Sequence, residues 1–129
     1  MVTYNLYFTS VEHLRYPATT DKPVMVTEFN FSSRGPRYFY SAGYARPGLG
    51  ILTEDDRAKA FLDYVTGAAR NPRIVGCHWH RYQDDPPSGN FIGENGQWGF
   101  VDICDTPYME LIGAARKFQE TVLDVRLGR

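Results

Sequence analysis

The 129-residue sequence has little of several features that would place it in a specialised class. It has no excess of positive charge, since 14 Lys and Arg residues are balanced by 15 Asp and Glu residues. The net charge of −1 therefore gives no electrostatic basis for binding nucleic acid. Only two cysteines are present, Cys77 and Cys104, and they form no CxxC pair. The pattern predicts no zinc site or redox centre, and we expect no cofactor.

Long apolar runs are also missing. No stretch is long enough to span a membrane, so we expect no membrane partner. The N-terminus MVTYNLYFTS lacks the basic and apolar segments of a signal peptide, which makes the chain as given cytoplasmic by expectation. What is present is a globular composition with 43% hydrophobic and 15% aromatic residues. The aromatic content fits a sugar-binding cleft and ordinary core packing equally well.

Apolar strands alternate with helices along the chain. The predicted strands are residues 2–8, 23–29 and 73–80. The predicted helices are residues 11–16, 54–70 and 106–122. Thr53 is the expected N-cap of the middle helix, and Thr106-Pro107 is expected to open the last one. This alternation predicts an α/β fold with a parallel sheet, in which right-handed crossovers place the strands side by side in chain order.

Polar residues follow each predicted strand, where parallel α/β folds gather their ligand sites. Tyr7 follows the first strand, and Glu28 and Asn30 end the second. Glu28 is the sharpest candidate, because a carboxylate at the end of an apolar strand can act as a nucleophile or base on a sugar. A solvated strand-end glutamate with no function is an equally valid interpretation of the pattern alone.

The third strand carries His78, Trp79 and His80. Alternation places the two histidines on one face and the tryptophan on the other. A metal site would need a third ligand that the sequence does not offer, so histidines lining a polar interior or hydrogen-bonded in the core are favoured. Trp79 suits either a sugar platform or the core. The long loop 83–98 offers polar and aromatic groups for a carbohydrate, although a solvated loop has the same composition.

These segments resemble one family of enzymes. The stretch KPVMVTEFNF resembles the seventh strand of clan A glycoside hydrolases, which ends in the nucleophilic glutamate. The stretch from IVGCHWHRYQDDPP to GENGQWGFVDICDTPY is similar to the end of β-agarase-like barrels, and TYNLYF is similar to their sixth strand. The resemblance implies that residues 1–129 form one partial domain, the last three βα units (strands 6–8) of a (β/α)8 TIM barrel.

The resemblance also implies roles for individual residues. Glu28 matches the nucleophile of a retaining hydrolase of the β-agarase or β-galactosidase type. Trp79 matches the aromatic residue that forms the floor of the sugar subsite, and Glu94 and Asn95 match a loop that contacts substrate. The expected ligand is an oligosaccharide or polysaccharide of the galactan or agar type. The residues expected to bind it are Tyr7, Asn30, His78, Trp79, His80, Glu94, Asn95 and Trp98.

Two departures from the family pattern stand out. His80 occupies a position where these enzymes often carry an aromatic residue. The acid/base glutamate of the family follows an asparagine at the end of strand four, but the sequence contains no Asn-Glu pair and strands one to five are absent. Because retaining hydrolysis needs two carboxylates, efficient turnover by this chain alone is not expected.

Three hypotheses follow from these departures. The chain is a catalytic portion that works when the rest of the barrel is supplied, a binding or interaction protein without catalysis, or a gene fragment with no selected function. Three strands leave two open sheet edges and an inner face without an opposite wall. We expect that inner face to be apolar, and we therefore expect the chain to form homo-oligomers unless the missing N-terminal barrel portion covers it.

Overall fold

A computed structural model describes residues 1–15, 21–33 and 51–129 of the chain. Its elements are β1 Val2–Asn5, β2 Val24–Phe29, α1 Glu54–Arg70, β3 Ile74–Trp79 and α2 Met109–Leu127. The strands form a three-stranded sheet in the order β1-β2-β3, and both strand pairs are parallel. The predicted α/β class, the parallel pairing and the order of the strands are therefore confirmed.

Some predicted boundaries are wrong. Residues 11–15 form a turn instead of the start of a short helix. Helix α2 begins three residues later than expected, because Pro107 forms a bridge with Val101 and the Tyr108 N–H donates to the Phe100 carbonyl at 2.9 Å. That pairing holds the residues before α2 in an extended path. A long loop is also predicted for residues 32–52, of which residues 34–50 lie outside the described residues.

Helix α1 has strong local signals at its N-terminus. The Thr53 side chain accepts a hydrogen bond from the Asp56 N–H, and the Asp56 carboxylate accepts one from the Thr53 N–H, which together form a capping box. Hydrogen bonds to its carboxylate lower the pKa of Asp56. The bond from the Thr53 hydroxyl has the largest effect, and those from the N–H groups of Leu52 and Thr53 come next. These bonds satisfy backbone donors that the helix itself cannot pair.

Replacing Thr53 with alanine should lower the free energy of unfolding by about 1 kcal/mol, because the first turn of α1 loses its side-chain acceptor. Urea denaturation followed by circular dichroism measures this change. Thr121 lies inside α2 and is exposed, so T121A is a matched control that should be neutral or slightly stabilising. Equal midpoints for T53A and the unchanged chain would contradict the role of the cap.

The core lies between one face of the sheet and α1. Phe29 stacks on Tyr64 with ring centroids 4.1 Å apart, and both side chains are fully buried. The Tyr64 hydroxyl donates to the Leu6 carbonyl at 2.8 Å, which fixes the segment that follows β1. Helix α2 adds Leu111 to this core, and its Arg126 guanidinium donates to backbone carbonyls in the last turn of α1 and just beyond it. The helices thus hold the strand ends in place.

The other face of the sheet is open and mostly polar. Two contacts between neighbouring strands show which residues lie on this face. The Thr27 hydroxyl donates to Asn5 Oδ1 at 2.7 Å, and the Met25 side chain packs over Gly76. Alternation adds Thr3 and His78, which are exposed. The expectation of an apolar inner face is therefore wrong for the described residues, because this face carries the groups that the sequence places at the strand ends.

Within the described ranges, no further strand pairs with the outer edge of β1 or of β3. Open strand edges can recruit other strands, so self-association stays a prediction that rests on these edges and no longer on an apolar face. None of the described helices is long and apolar enough to cross a membrane.

Candidate functional site

Glu28 lies at the carboxyl end of the central strand, where a tyrosine from the neighbouring segment holds it. The Tyr7 hydroxyl donates to Glu28 Oε2 at 2.8 Å, and both side chains are half-buried. The backbone fixes this pair as well, since the Leu6 N–H donates to the Glu28 carbonyl at 2.9 Å. A bulge in the register beside Asn5 brings that residue opposite Glu28. The carboxylate is therefore oriented by a neutral donor while part of it stays accessible.

Asn30 joins the ends of β2 and β3. Its Nδ2 donates to the carbonyl of His80 and to that of Trp98, the latter at 3.2 Å. The side chain is only 4% exposed, and its Oδ1 accepts no hydrogen bond within the described part of the chain. A side chain this deeply buried offers almost no surface to a polysaccharide, so its position fits support of the site better than direct contact.

Trp79 lies on the helix-covered side of the sheet. Its ring centroid is 5.3 Å from that of Phe29 and 5.4 Å from that of Phe61, and its Nε1 donates to the Trp98 carbonyl at 2.7 Å. The ring thus belongs to the aromatic cluster beneath α1. None of these contacts supports the expectation that Trp79 forms the floor of a sugar subsite.

The two histidines lie at the end of β3 and just beyond it. His78 is exposed on the open face, and His80 is half-buried with its ring centroid 6.0 Å from that of Trp98. The His80 N–H donates to the Phe29 carbonyl at 2.9 Å, which continues the pairing of β2 and β3 beyond the last strand residue. Across the described ranges, no group of three or more His, Cys, Asp and Glu side chains could hold a metal ion.

The loop 83–98 folds around a buried carboxylate. Asp85 is fully buried and accepts hydrogen bonds from Arg81, from the Trp98 indole N–H, and from the Gly96 N–H and Asn90 Nδ2 at 3.2 Å each. Four donors on one side chain fix both ends of the loop and its middle. Since a buried charge is costly without such partners, the network defines a single loop conformation.

Three residues of this loop were predicted to bind substrate. Glu94 and Asn95 are half-buried, and the hydrogen bonds described for them lie within the loop, to Asn90 and Pro87. Trp98 is only 3% exposed and packs beside Asp85. The structure thus brings Trp98 next to Asn30 and His80. Glu94 and Asn95 lie earlier in the loop, near its tip.

Arg57 is an organising residue that the sequence analysis missed. Its buried guanidinium donates to the carbonyls of Phe31 and Gly99, each at 2.8 Å, and pairs with Glu54 at 3.3 Å. Burial lowers the pKa of Arg57, and the charge of Glu54 opposes that shift. The residue ties the segment after β2 to the end of the loop after β3. Arg57 lies four residues before Phe61 and therefore on the same buried face of α1. That spacing could have predicted its burial from the sequence.

The chain also shares sequence with known enzymes. The chain is 37% identical over 130 residues to β-agarase B of Vibrio sp. (strain JT0107), an alignment that covers 98% of this chain. The chain is similar to β-agarases. No protein-family model matches it.

Solved structures show the same similarity. An exo-β-agarase superposes with a TM-score of 0.78 at 32% identity over 98% of this chain. A second agarase superposes with a TM-score of 0.81 at 30% identity over 97% of this chain. The resemblance to agarase-type glycoside hydrolases, predicted from the motifs, is confirmed at this level.

The similarity covers a small part of each agarase. The chain spans 13% of the length of β-agarase B and 17–19% of the two solved chains. Nearly every residue of this chain therefore has a counterpart in those enzymes, whereas most of each enzyme has no counterpart here.

Proposed function

We propose that this chain supplies the last three βα units, strands 6–8, of a (β/α)8 barrel that hydrolyses agar-type galactan with retention of configuration. The position of Glu28 carries this proposal: it ends the central one of three parallel strands and is hydrogen-bonded to Tyr7. Active sites of such barrels lie at the carboxyl ends of the strands. The agarase similarity supports the choice of substrate.

In this proposal Glu28 is the nucleophile. Its free oxygen attacks the anomeric carbon, while Tyr7 donates to Oε2 and holds the carboxylate in one orientation. The bond to the leaving sugar oxygen breaks as a second carboxylic acid, about 5–5.5 Å away, protonates that oxygen. Water, deprotonated by the same second group, then displaces Glu28 from the sugar. The sequence has no Asn-Glu pair to supply that group, so the rest of the barrel must provide it.

The predicted binding residues divide into two groups. Those with accessible surface are proposed to contact sugar hydroxyls. These are Tyr7, His78, His80, Glu94 and Asn95. The buried side chains of Asn30 and Trp98 are proposed to position the strand ends and the loop, and Trp79 is proposed to support them from the aromatic cluster. This assignment gives the polar open face the role of a sugar-binding surface.

The remaining barrel is the proposed partner. The outer edges of β1 and β3 are unpaired among the described strands, and an open apolar groove of about 260 Å³ lies between β3 and α2. Aromatic side chains line much of this groove, among them Phe61, Phe100 and Phe118. Apolar surface beside a free strand edge suits the packing of further βα units.

The proposal is tested in a chimera in which these 129 residues replace the matching segment of β-agarase B. The chimera should release reducing sugar from agarose, and the isolated chain should not. Tyr7→Phe should lower kcat/KM of the chimera by about 10- to 100-fold, because a hydrogen bond to a charged acceptor contributes about 1.5–3 kcal/mol.

Tyr82→Phe is the matched control, since the Tyr82 side chain is exposed and should leave the rate unchanged. A correctly folded chimera without activity would count against the proposed function. Full activity of Y7F would show that the contact between Tyr7 and Glu28 has no part in the reaction.

A further inference from the structure

The tip of the loop 83–98 has an unusual composition. Residues 90–93 form a turn closed by a hydrogen bond from the Gly93 N–H to the Asn90 carbonyl at 2.9 Å. Its two central residues are Phe91, which is 96% exposed, and Ile92, which is 63% exposed. Central turn positions normally carry Gly, Pro, Asn, Asp or Ser. Folding does not account for two large apolar side chains here, since neither is buried.

The tip is held firmly by the residues around it. Asn90 Oδ1 accepts hydrogen bonds from the Ile92 N–H at 2.9 Å and from the Glu94 N–H at 3.1 Å. The Asn90 N–H donates to the Glu94 carbonyl at 2.7 Å, and its Nδ2 donates to the buried Asp85. Because these bonds hold the backbone beneath Phe91, the freedom lost when a ligand packs on the ring is mainly that of the side-chain rotamers.

The location of the tip points to the ligand. The loop leaves the carboxyl end of β3, and parallel pairing puts that end on the same side of the sheet as Glu28. Trp98 is only 3% exposed, and the partly buried ring of Trp79 packs against the aromatic core, so neither ring faces the open side of the sheet. Among the described aromatic residues that are exposed, Phe91 has the largest exposed fraction, ahead of Tyr82.

We propose that Phe91, flanked by Ile92, is a stacking platform for one sugar ring of a galactan chain, away from the bond that is cleaved. This inference rests on the proposed function and names a subsite for the same polysaccharide. A galactose ring presents an apolar C–H face, which packs on an aromatic plane without any charge on either partner. A polymer extends past the cleaved bond, so an exposed ring on the loop that follows the carboxyl end of β3 can bind a more distant unit.

The test is affinity electrophoresis of the 129-residue chain in gels that contain increasing amounts of agarose. Phe91→Ala should weaken retention by about 2- to 10-fold, the effect of losing one aromatic contact. Phe91→Tyr keeps the aromatic plane and should be retained like the unchanged chain. Leu123→Ala is the matched control, because Leu123 is 71% exposed on α2, and it should not alter retention.

Several results would overturn the platform. These are equal retention of F91A and the unchanged chain, equal losses for F91A and L123A, and no retention of the unchanged chain. The agarase chimera separates this proposal from the proposed function. If the chimera hydrolyses agarose but retention of the isolated chain does not change in F91A, only the proposal for Phe91 is contradicted. If retention depends on Phe91 but the folded chimera is inactive, the hydrolase function is contradicted and the sugar-binding role of Phe91 is supported.

Discussion

Replacing Asp85 with alanine should lower the free energy of unfolding of the chain by about 2–4 kcal/mol. The substitution leaves the Trp98 indole N–H and the Gly96 N–H without their acceptor in a buried place, and each such group costs about 1–3 kcal/mol. Arg81 offsets part of the loss, because it is 41% exposed and can turn towards water. Urea denaturation followed by circular dichroism measures the change.

Asp63→Ala is the control for the Asp85 substitution. Asp63 pairs with Lys59 on the surface of α1, where both side chains are exposed, so the loss should stay below about 1 kcal/mol. Asp85→Ala should also weaken retention on agarose as much as Phe91→Ala does, when measured well below its unfolding midpoint. An Asp85 variant as stable as the Asp63 variant would contradict the view that one buried carboxylate organises the loop.

Glu28→Gln should reduce kcat of the agarase chimera by about 10⁴-fold or more, since loss of an essential nucleophile leaves only residual catalysis by the rest of the site. Glutamine has nearly the same shape, and its amide oxygen can still accept the Tyr7 hydrogen bond. KM and the free energy of unfolding should therefore change little. Reducing-sugar release under saturating agarose measures the rate.

Glu120→Gln is the matched control for Glu28→Gln, because Glu120 is exposed on α2, and it should retain full activity. If Glu28→Gln kept more than a tenth of the activity, Glu28 would not be the nucleophile. If both variants lost activity together, the cause would be a general loss of structure.

The bounds of β2, β3 and α1 could be predicted to within a residue because their signals are local, whereas β1 ends at Asn5 and not at the predicted residue 8. An apolar run fixes the position of β2, and Thr53 with Asp56 marks the start of α1 to the residue. The meeting of Tyr7 with Glu28 could also be predicted, since parallel strands end on the same side. The start of α2 could not, because it depends on the bridge between Val101 and Pro107, a tertiary contact that helix periodicity does not reveal.

The roles of single side chains were harder to predict. Alternation separates Trp79 from His78 and His80, but it does not show which face α1 covers. The helix covers the face of Trp79, so this ring joins the core instead of the open face. Arg57 was missed because arginine usually points to solvent, whereas here backbone carbonyls and the ring of Tyr108, 4.9 Å from the guanidinium, replace water around it.

The most direct test of the central claim is covalent trapping of a sugar on Glu28 in the chimera. A 2-deoxy-2-fluoro-galactosyl donor with a good leaving group suits this purpose, because the fluorine disfavours the oxocarbenium-like transition state of the second step and the intermediate accumulates. Peptide mass spectrometry should find one fluorogalactosyl group on the peptide that contains Glu28, and none in Glu28→Gln. An active chimera that carries the label on a different residue would contradict the account.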